Sequence, residues 1–419
     1  MKEQRIRGNE VSIVLVCLAT VVSMPAQCSG QPPNLITLYS FQGGGDGRNP
    51  FGLVEGKGGV LYGVTSRGGL HKACADGCGT IFSLTPPAST GETWAETVLY
   101  RFTGEVGPSS GLVVGSDGVL YGTTILGGSA NLGTVYSLAP PPGGLGQWTK
   151  NTLYSFTGSP DGSSPDGLIM VGPDLYGVTR YGGTGTALWC SPGNCGTIFS
   201  LKRISDIWVE QVLYSFDGQV NGWAPNGLIS EGGVLYGPTL YGGTYGGGMI
   251  FSLTPPPSPG PAWTPSNLGS FNSVYGLAAG GGGVLYGASI NGGIYNGGIA
   301  FSLTPPASQG GTWTQTDLHD FQTCPFSASC DEPSGVYYDR GTGAIYGLTG
   351  SGGSDRAGSV YALTPPAIPG QPWDYRILCS FDQSDGGDPD SLVVTPGLLY
   401  GTTAHKGSGD AGTVFSLAP

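Results

Sequence analysis

The chain has 419 residues, with 79 Gly and 33 Pro, about 27% together, a content that means disorder unless those residues recur at a period. No Gly-X-Y run is present, which excludes collagen, and 10% aromatic against 11% charged residues is the reverse of the disordered balance. A formal charge of −12 without any basic stripe argues against a nucleic-acid partner.

In chain order, Lys2, Arg5 and Arg7 precede an apolar stretch from Val11 to Val22. A basic start, a short apolar run and then small or polar residues describe a secretory signal peptide. Residues 1–27 are therefore predicted as signal, 28–34 as linker and 35–419 as one folded domain. The apolar run is shorter than the roughly 20 residues a bilayer span needs. No membrane insertion is expected after cleavage, and the expected location is secreted, extracellular or periplasmic.

Next comes Leu38-Tyr39-Ser40-Phe41, which stands alone at the start of the domain. A repeating unit follows. Leu/Ile-Tyr-Gly recurs with its tyrosine at Tyr62, Tyr121, Tyr176, Tyr236, Tyr286, Tyr346 and Tyr400. Three residues on stands a hydroxyl: Thr65, Thr124, Thr179, Thr239, Ser289, Thr349 or Thr403. A Gly-Gly pair, an aromatic-x-Leu run, a Pro-rich turn, a tryptophan and a Leu-x-x-Phe segment complete the unit. Each unit holds four short β-rich stretches bracketed by Asp-Gly, Gly-Gly and Pro-Pro turn signals. Four strands repeated seven times at 50–60 residues predict an all-β, seven-bladed β-propeller of antiparallel blades. The last unit stops after its third strand, at Phe415-Ser416-Leu417. The orphan segment at Leu38–Phe41 is its missing fourth strand, so the N-terminal strand should complete the last blade and close the ring. Alternation puts Leu61, Gly63 and Thr65 on one face of the strand and Tyr62 and Val64 on the other. The tyrosine ring is expected to cover a glycine of the neighbouring blade, and the hydroxyls to bond local backbone.

These strings, among them Leu120-Tyr121-Gly122-Thr123-Thr124 and Gly133-Thr134-Val135-Tyr136-Ser137-Leu138, resemble the tandem "GloVer" repeats of bacterial exported proteins, and more distantly kelch repeats. The resemblance covers nearly the whole domain. It implies an exported repeat protein, often with a C-terminal surface anchor, and no established chemistry. The chain ends at Pro419 without the apolar tail and basic cluster of such an anchor.

Cys74 with Cys78, Cys190 with Cys195, and Cys324 with Cys330 read as three short disulfides of an exported chain. Zinc is the alternative for the CxxxC spacing, but no second pair accompanies it. Cys379 takes a tyrosine slot of the closing strand and is expected to be a buried thiol. Cys28 has no assigned partner. The Gly-Gly loops and inter-blade connections share one face of the propeller. That face gathers the non-repeating aromatics Tyr181, Trp189, Trp223, Tyr241, Tyr245 and Tyr295 as candidate ligand contacts. It also carries Asp46, Asp161, Asp166, Asp331, Glu332, Asp385 and Asp388. Asp-Gly turns at Asp46, Asp161 and Asp385 lack the alternating oxygens of a calcium loop, so turn chemistry is expected. Only His71, His319 and His405 are present, at three different repeat positions, and no hydrolase elbow, HExxH or phosphate loop occurs. No cofactor or metal is expected, and a monomer is. The leading expectation is a binding or scaffold module for polysaccharide or an extracellular protein. A carbohydrate-directed hydrolase or lyase using loop-face carboxylates and a purely structural repeat protein are the alternatives.

Overall fold

The computed structural model describes residues 34–419, apart from 70–73, 75, 90–91, 105–106, 145, 186–189, 191–194, 219–220, 258–261, 309–310, 323–331, 354, 369 and 383. The first strand, β1 (Leu35–Ser40), belongs to the last blade. Blade 1 is β2 (Arg48–Glu55), β3 (Leu61–Arg67), β4 (Thr80–Thr85) and β5 (Ala95–Arg101), hydrogen-bonded in that order. Blade 2 is β6 (Val113–Val114), β7 (Leu120–Thr124), β8 (Thr134–Ala139) and β9 (Thr149–Ser155). Blade 3 is β10 (Ser163–Val171), β11 (Asp174–Tyr181), β12 (Thr197–Ile204) and β13 (Ile207–Ser215). Blade 4 has its first strand broken into β14 (Trp223–Pro225) and β15 (Ile229–Glu231), both paired with β16 (Val234–Tyr241), before β17 (Met249–Thr254) and β18 (Thr264–Ser270). Blade 5 is β19 (Val274–Ala279), β20 (Leu285–Ser289), β21 (Ile299–Thr304) and β22 (Thr314–Asp320). Blade 6 is β23 (Pro333–Tyr338), β24 (Ile345–Thr349), β25 (Ser359–Thr364) and β26 (Asp374–Ser380). Blade 7 is β27 (Gly387–Thr395), β28 (Leu398–His405) and β29 (Thr413–Leu417), completed by β1.

The ring closes as expected: β1 runs antiparallel to β29, from Leu35 opposite Leu417 to Ser40 opposite Thr413. Among the described residues no helix is long and apolar enough to cross a membrane.

The second strand of each blade is apolar on both sides because it is buried on both sides. Leu61 packs with Phe41, Phe82 and Val414 in the seam toward blade 7. Val64 and Tyr62 pack with Phe102, Tyr136 and Trp148 in the seam toward blade 2. Every seam of the ring has such a cluster. The core is thus divided between blades, which is how a single domain exceeds the usual size of one hydrophobic centre.

The repeated glycine is covered, but by a different ring from the expected one. Gly63 pairs directly across the ladder with Phe82 of its own blade, and a Cβ on Gly63 would stand 2.5 Å from Phe82 Cζ. The tyrosine points to the opposite face. There Tyr62 meets Trp148 of the next blade edge-on at 6.1 Å, and Tyr121–Trp208, Tyr176–Trp263 and Tyr236–Trp313 repeat the contact. The misassignment has a physical reason: the period-two alternation separates Tyr62 from Gly63, and cross-strand register then selects Phe82 for the glycine. The hydroxyl column behaves as expected, donating to the carbonyl two residues on: Thr65 to Arg67, Thr124 to Leu126, Thr179 to Tyr181, Thr239 to Tyr241 and Ser289 to Asn291.

Candidate ligand face

The loop between the second and third strands carries the Gly-Gly pair in six blades and Lys406-Gly407 in the seventh, and opens on the same face as the inter-blade connections. Two disulfides pin it, Cys74–Cys78 in blade 1 and Cys190–Cys195 in blade 3. The expected pair Cys324 and Cys330 lies outside the described residues, as do Cys28 and Asp331. Cys379 is buried in the seam between blades 6 and 7.

Four aromatics of this face are exposed. Tyr245 is 74% accessible, and Tyr181, Tyr241 and Tyr295 are also exposed. Trp223 is half-buried because it stacks on Tyr241, its register partner between β14 and β16, at 4.1 Å and 21°. One face of each ring is thereby covered. Tyr245 stands elsewhere, on a cleft of about 330 Å³ between blades 4 and 5. Asn272, Asn291 and Gln315 line it beside Tyr245, over Phe271 and Ile299. Tyr181 sits at the end of β11 in blade 3 and Tyr295 in the loop of blade 5. Trp189 lies outside the described residues.

The acids of the face are mostly engaged in structure. Asp46 accepts from the Tyr39 hydroxyl at 3.1 Å and from the Gln42 amide at 2.7 Å. Asp161 accepts from the Tyr154 hydroxyl at 2.7 Å and from the Thr157 amide and hydroxyl at 3.0 Å each. Asp385 accepts from the Asp382 amide at 2.8 Å. All three are turn-closing side chains, and their carbonyls accept from the buried hydroxyls of Thr80, Thr197 and Thr413. Asp166 accepts from Arg180 Nη2 at 2.6 Å and Nε at 2.9 Å. Asp388 approaches His405 at 4.0 Å, both half-exposed, and Glu332 is exposed.

Two glutamates that sequence reasoning missed complete the picture. Glu96 and Glu210 each follow the blade tryptophan by two residues and occupy equivalent positions on β5 and β13. Each keeps its Oε1 shielded from water and without a hydrogen-bond partner among the described residues. Burial, with Asp46 nearby, pushes the Glu96 carboxyl up to about 7 despite Arg101; burial, with Asp161 nearby, pushes Glu210 up to about 7. The signal was available: Trp-x-Glu occurs in units one and three, the seams whose loops carry Asp46 and Asp161.

No curated protein matches the chain. Among solved structures, the PQQ-bound aldose sugar dehydrogenase of Streptomyces coelicolor aligns at TM-score 0.46 and 15% identity, over 92% of this chain and 97% of its own. A protein of unknown function from Dyadobacter fermentans aligns at TM-score 0.45 and 12% identity, over 92% and 98%. The family model of the Gloeobacter/Verrucomicrobia repeat matches residues 26–187, 71–261 and 264–419. With the repeat matched across the ring it builds, the chain belongs to the Gloeobacter/Verrucomicrobia repeat family.

Proposed function

We propose that this propeller is a secreted binding module whose Gly-Gly loop face takes a polysaccharide. The observation that carries this reading is the set of outward aromatic surfaces on blades 3 to 5, led by the Trp223–Tyr241 stack and Tyr245. A stack with one open tyrosine face offers a flat apolar platform with a polar tip, the form that suits the face of a sugar ring. The loop acids support binding over hydrolysis, because Asp46, Asp161, Asp166 and Asp385 already serve turns and an ion pair. The disulfides and the basic-then-apolar N-terminus support an oxidising, exported setting.

Affinity electrophoresis in gels containing soluble glucans, xylan, mannan or polygalacturonate tests the reading. Retardation by at least one is expected. Tyr241→Ala should weaken it about tenfold, the loss of one interface aromatic, and Trp189→Ala tests the remaining predicted aromatic. Unretarded migration in every gel would overturn the proposal.

A further inference from the structure

The closing strands place one side chain in each seam. In four seams it is tyrosine: Tyr39, Tyr100, Tyr154 and Tyr214, each edge-on to the next phenylalanine at 5.0–5.2 Å. Between blades 5 and 6 it is His319, stacked on Tyr375 at 3.8 Å. Between blades 6 and 7 it is the buried Cys379. Between blades 4 and 5 it is Gly269, which fills nothing. Phe271 shows the consequence. Its counterparts Phe41, Phe156 and Phe216 meet the ring of the following blade at 66–69°, whereas Phe271 lies nearly flat on Phe301, at 4.6 Å and 19°. The Phe271 ring lies 2.9 Å from where a Cβ at position 269 would stand, so it takes the place of the missing side chain, and the cleft bearing Tyr245 lies beside it.

The lining differs from the seams of Glu96 and Glu210 in charge as well as in shape. Gln315 stands where Glu96 and Glu210 stand in theirs. No side chain lining the cleft is charged, in a protein of formal charge −12. Asn272, Asn291 and Gln315 offer amides that both donate and accept, and the Gln315 amide is steadied by donating to Asp317 at 2.7 Å. Hydroxyl groups of a sugar also do both. A charged ligand would give up water and find no counter-charge in the lining. The volume, about 330 Å³, falls at the lower end of small-molecule sites.

We propose that the seam between blades 4 and 5 is a binding subsite for an uncharged sugar unit, lined by the flat-lying Phe271. Tyr245 supplies the ring against the sugar's apolar face, and the amides bond its hydroxyls. This subsite rests on the glycan reading above and narrows it to neutral glycans.

Calorimetric titration of the full chain with cellohexaose, xylohexaose, mannohexaose and hexagalacturonate tests it. Binding of at least one neutral oligosaccharide is expected, with hexagalacturonate at least tenfold weaker. Gly269→Tyr restores the residue of four other seams, must push the Phe271 ring out of its flat position, and should reduce affinity at least tenfold. Asn272→Ala, at an exposed position, should reduce affinity about fivefold and carries the test if Gly269→Tyr does not fold. If neutral oligosaccharides bind and neither variant weakens them, the subsite is wrong and the glycan reading stands. If hexagalacturonate binds best, the neutral assignment is wrong. If nothing binds, both fall.

Discussion

At position 63 the chain has room for a hydrogen and no more, because the Phe82 ring lies across it. Gly177 under Phe199 and Gly287 under Phe301 share the geometry, each with an added Cβ 2.5 Å from the ring tip. Gly63→Ala should therefore cost about 1–3 kcal/mol, the usual range for overpacking a core, read as a lower urea midpoint. Val119→Ala, in a turn flank of blade 2, should cost less; equal losses would show that ring cover is not the constraint. Charge is controlled as tightly as space. Glu96 and Glu210 have folded-state values near 7, above the ordinary 4.5. An acid that binds its proton more tightly when folded destabilises the fold as pH rises between the two values. Stability should be fullest below about pH 4.5 as far as these two groups are concerned, decline up to about 7, and level off above. Allowing for partial exposure, each contributes about 1–2 kcal/mol to that decline. Glu96→Gln with Glu210→Gln should raise the melting temperature at pH 8 and flatten the profile. An unchanged slope would mean that these carboxyls ionise freely in the folded protein.

At the level of strands, the joint between β1 and β29 differs from every other pairing because it unites the two ends of the domain. Without β1, the strand Thr413–Leu417 becomes an open edge with a fully buried side-chain pattern, a template for other chains. Removing residues 1–40 should bring aggregation and loss of a cooperative melt, whereas removing residues 1–33 should leave melting unchanged. A monomeric, cooperatively melting 41–419 would refute closure as a condition of stability. The disulfides act on another scale. They join cysteines four and five residues apart, for which loop-closure entropy gives about 2 kcal/mol each. Reduction should lower the melting temperature by a few degrees and keep the far-ultraviolet circular dichroism. Full unfolding on reduction would show that the staples hold more than their own loops. The strands and their closure were legible because the repeat returns seven times and its orphan fragment matches the missing piece. The contacts between strands were less so. Gly63 and Phe82 are 19 residues apart, and no local pattern says which ring will cross to which glycine. The acid pairs were harder still, since Asp46 and Glu96 are 50 residues apart in adjoining blades. Gly269 was visible as Leu-Gly-Ser-Phe where four of the seven units read Leu-Tyr-x-Phe. His319 and Cys379 break the same column, and only three dimensions show that the following phenylalanine lies flat beside the glycine but stays tilted to its partner ring beside the other two.

For the molecule as a whole, a core divided among seams means that each blade is stabilised by its neighbours more than by itself. Two-state unfolding should follow while the ring is shut, and a calorimetric enthalpy matching the van't Hoff value is the measurement that checks it. A ring opened at one seam should instead melt in stages, as linear repeat arrays do. The joint between Leu35 and Leu417 also sets an order in time. Chains are made from the N-terminus, so the strand that leaves the ribosome first is the one whose partner is made last. Every other blade can form from neighbouring sequence as it emerges, while β1 must stay unpaired and uncommitted until β29 arrives. The entropic cost of that long closure grows only with the logarithm of its length. The fold therefore loses little stability by seaming itself at its ends; what it accepts is a waiting period, during which its opening residues must avoid every wrong partner.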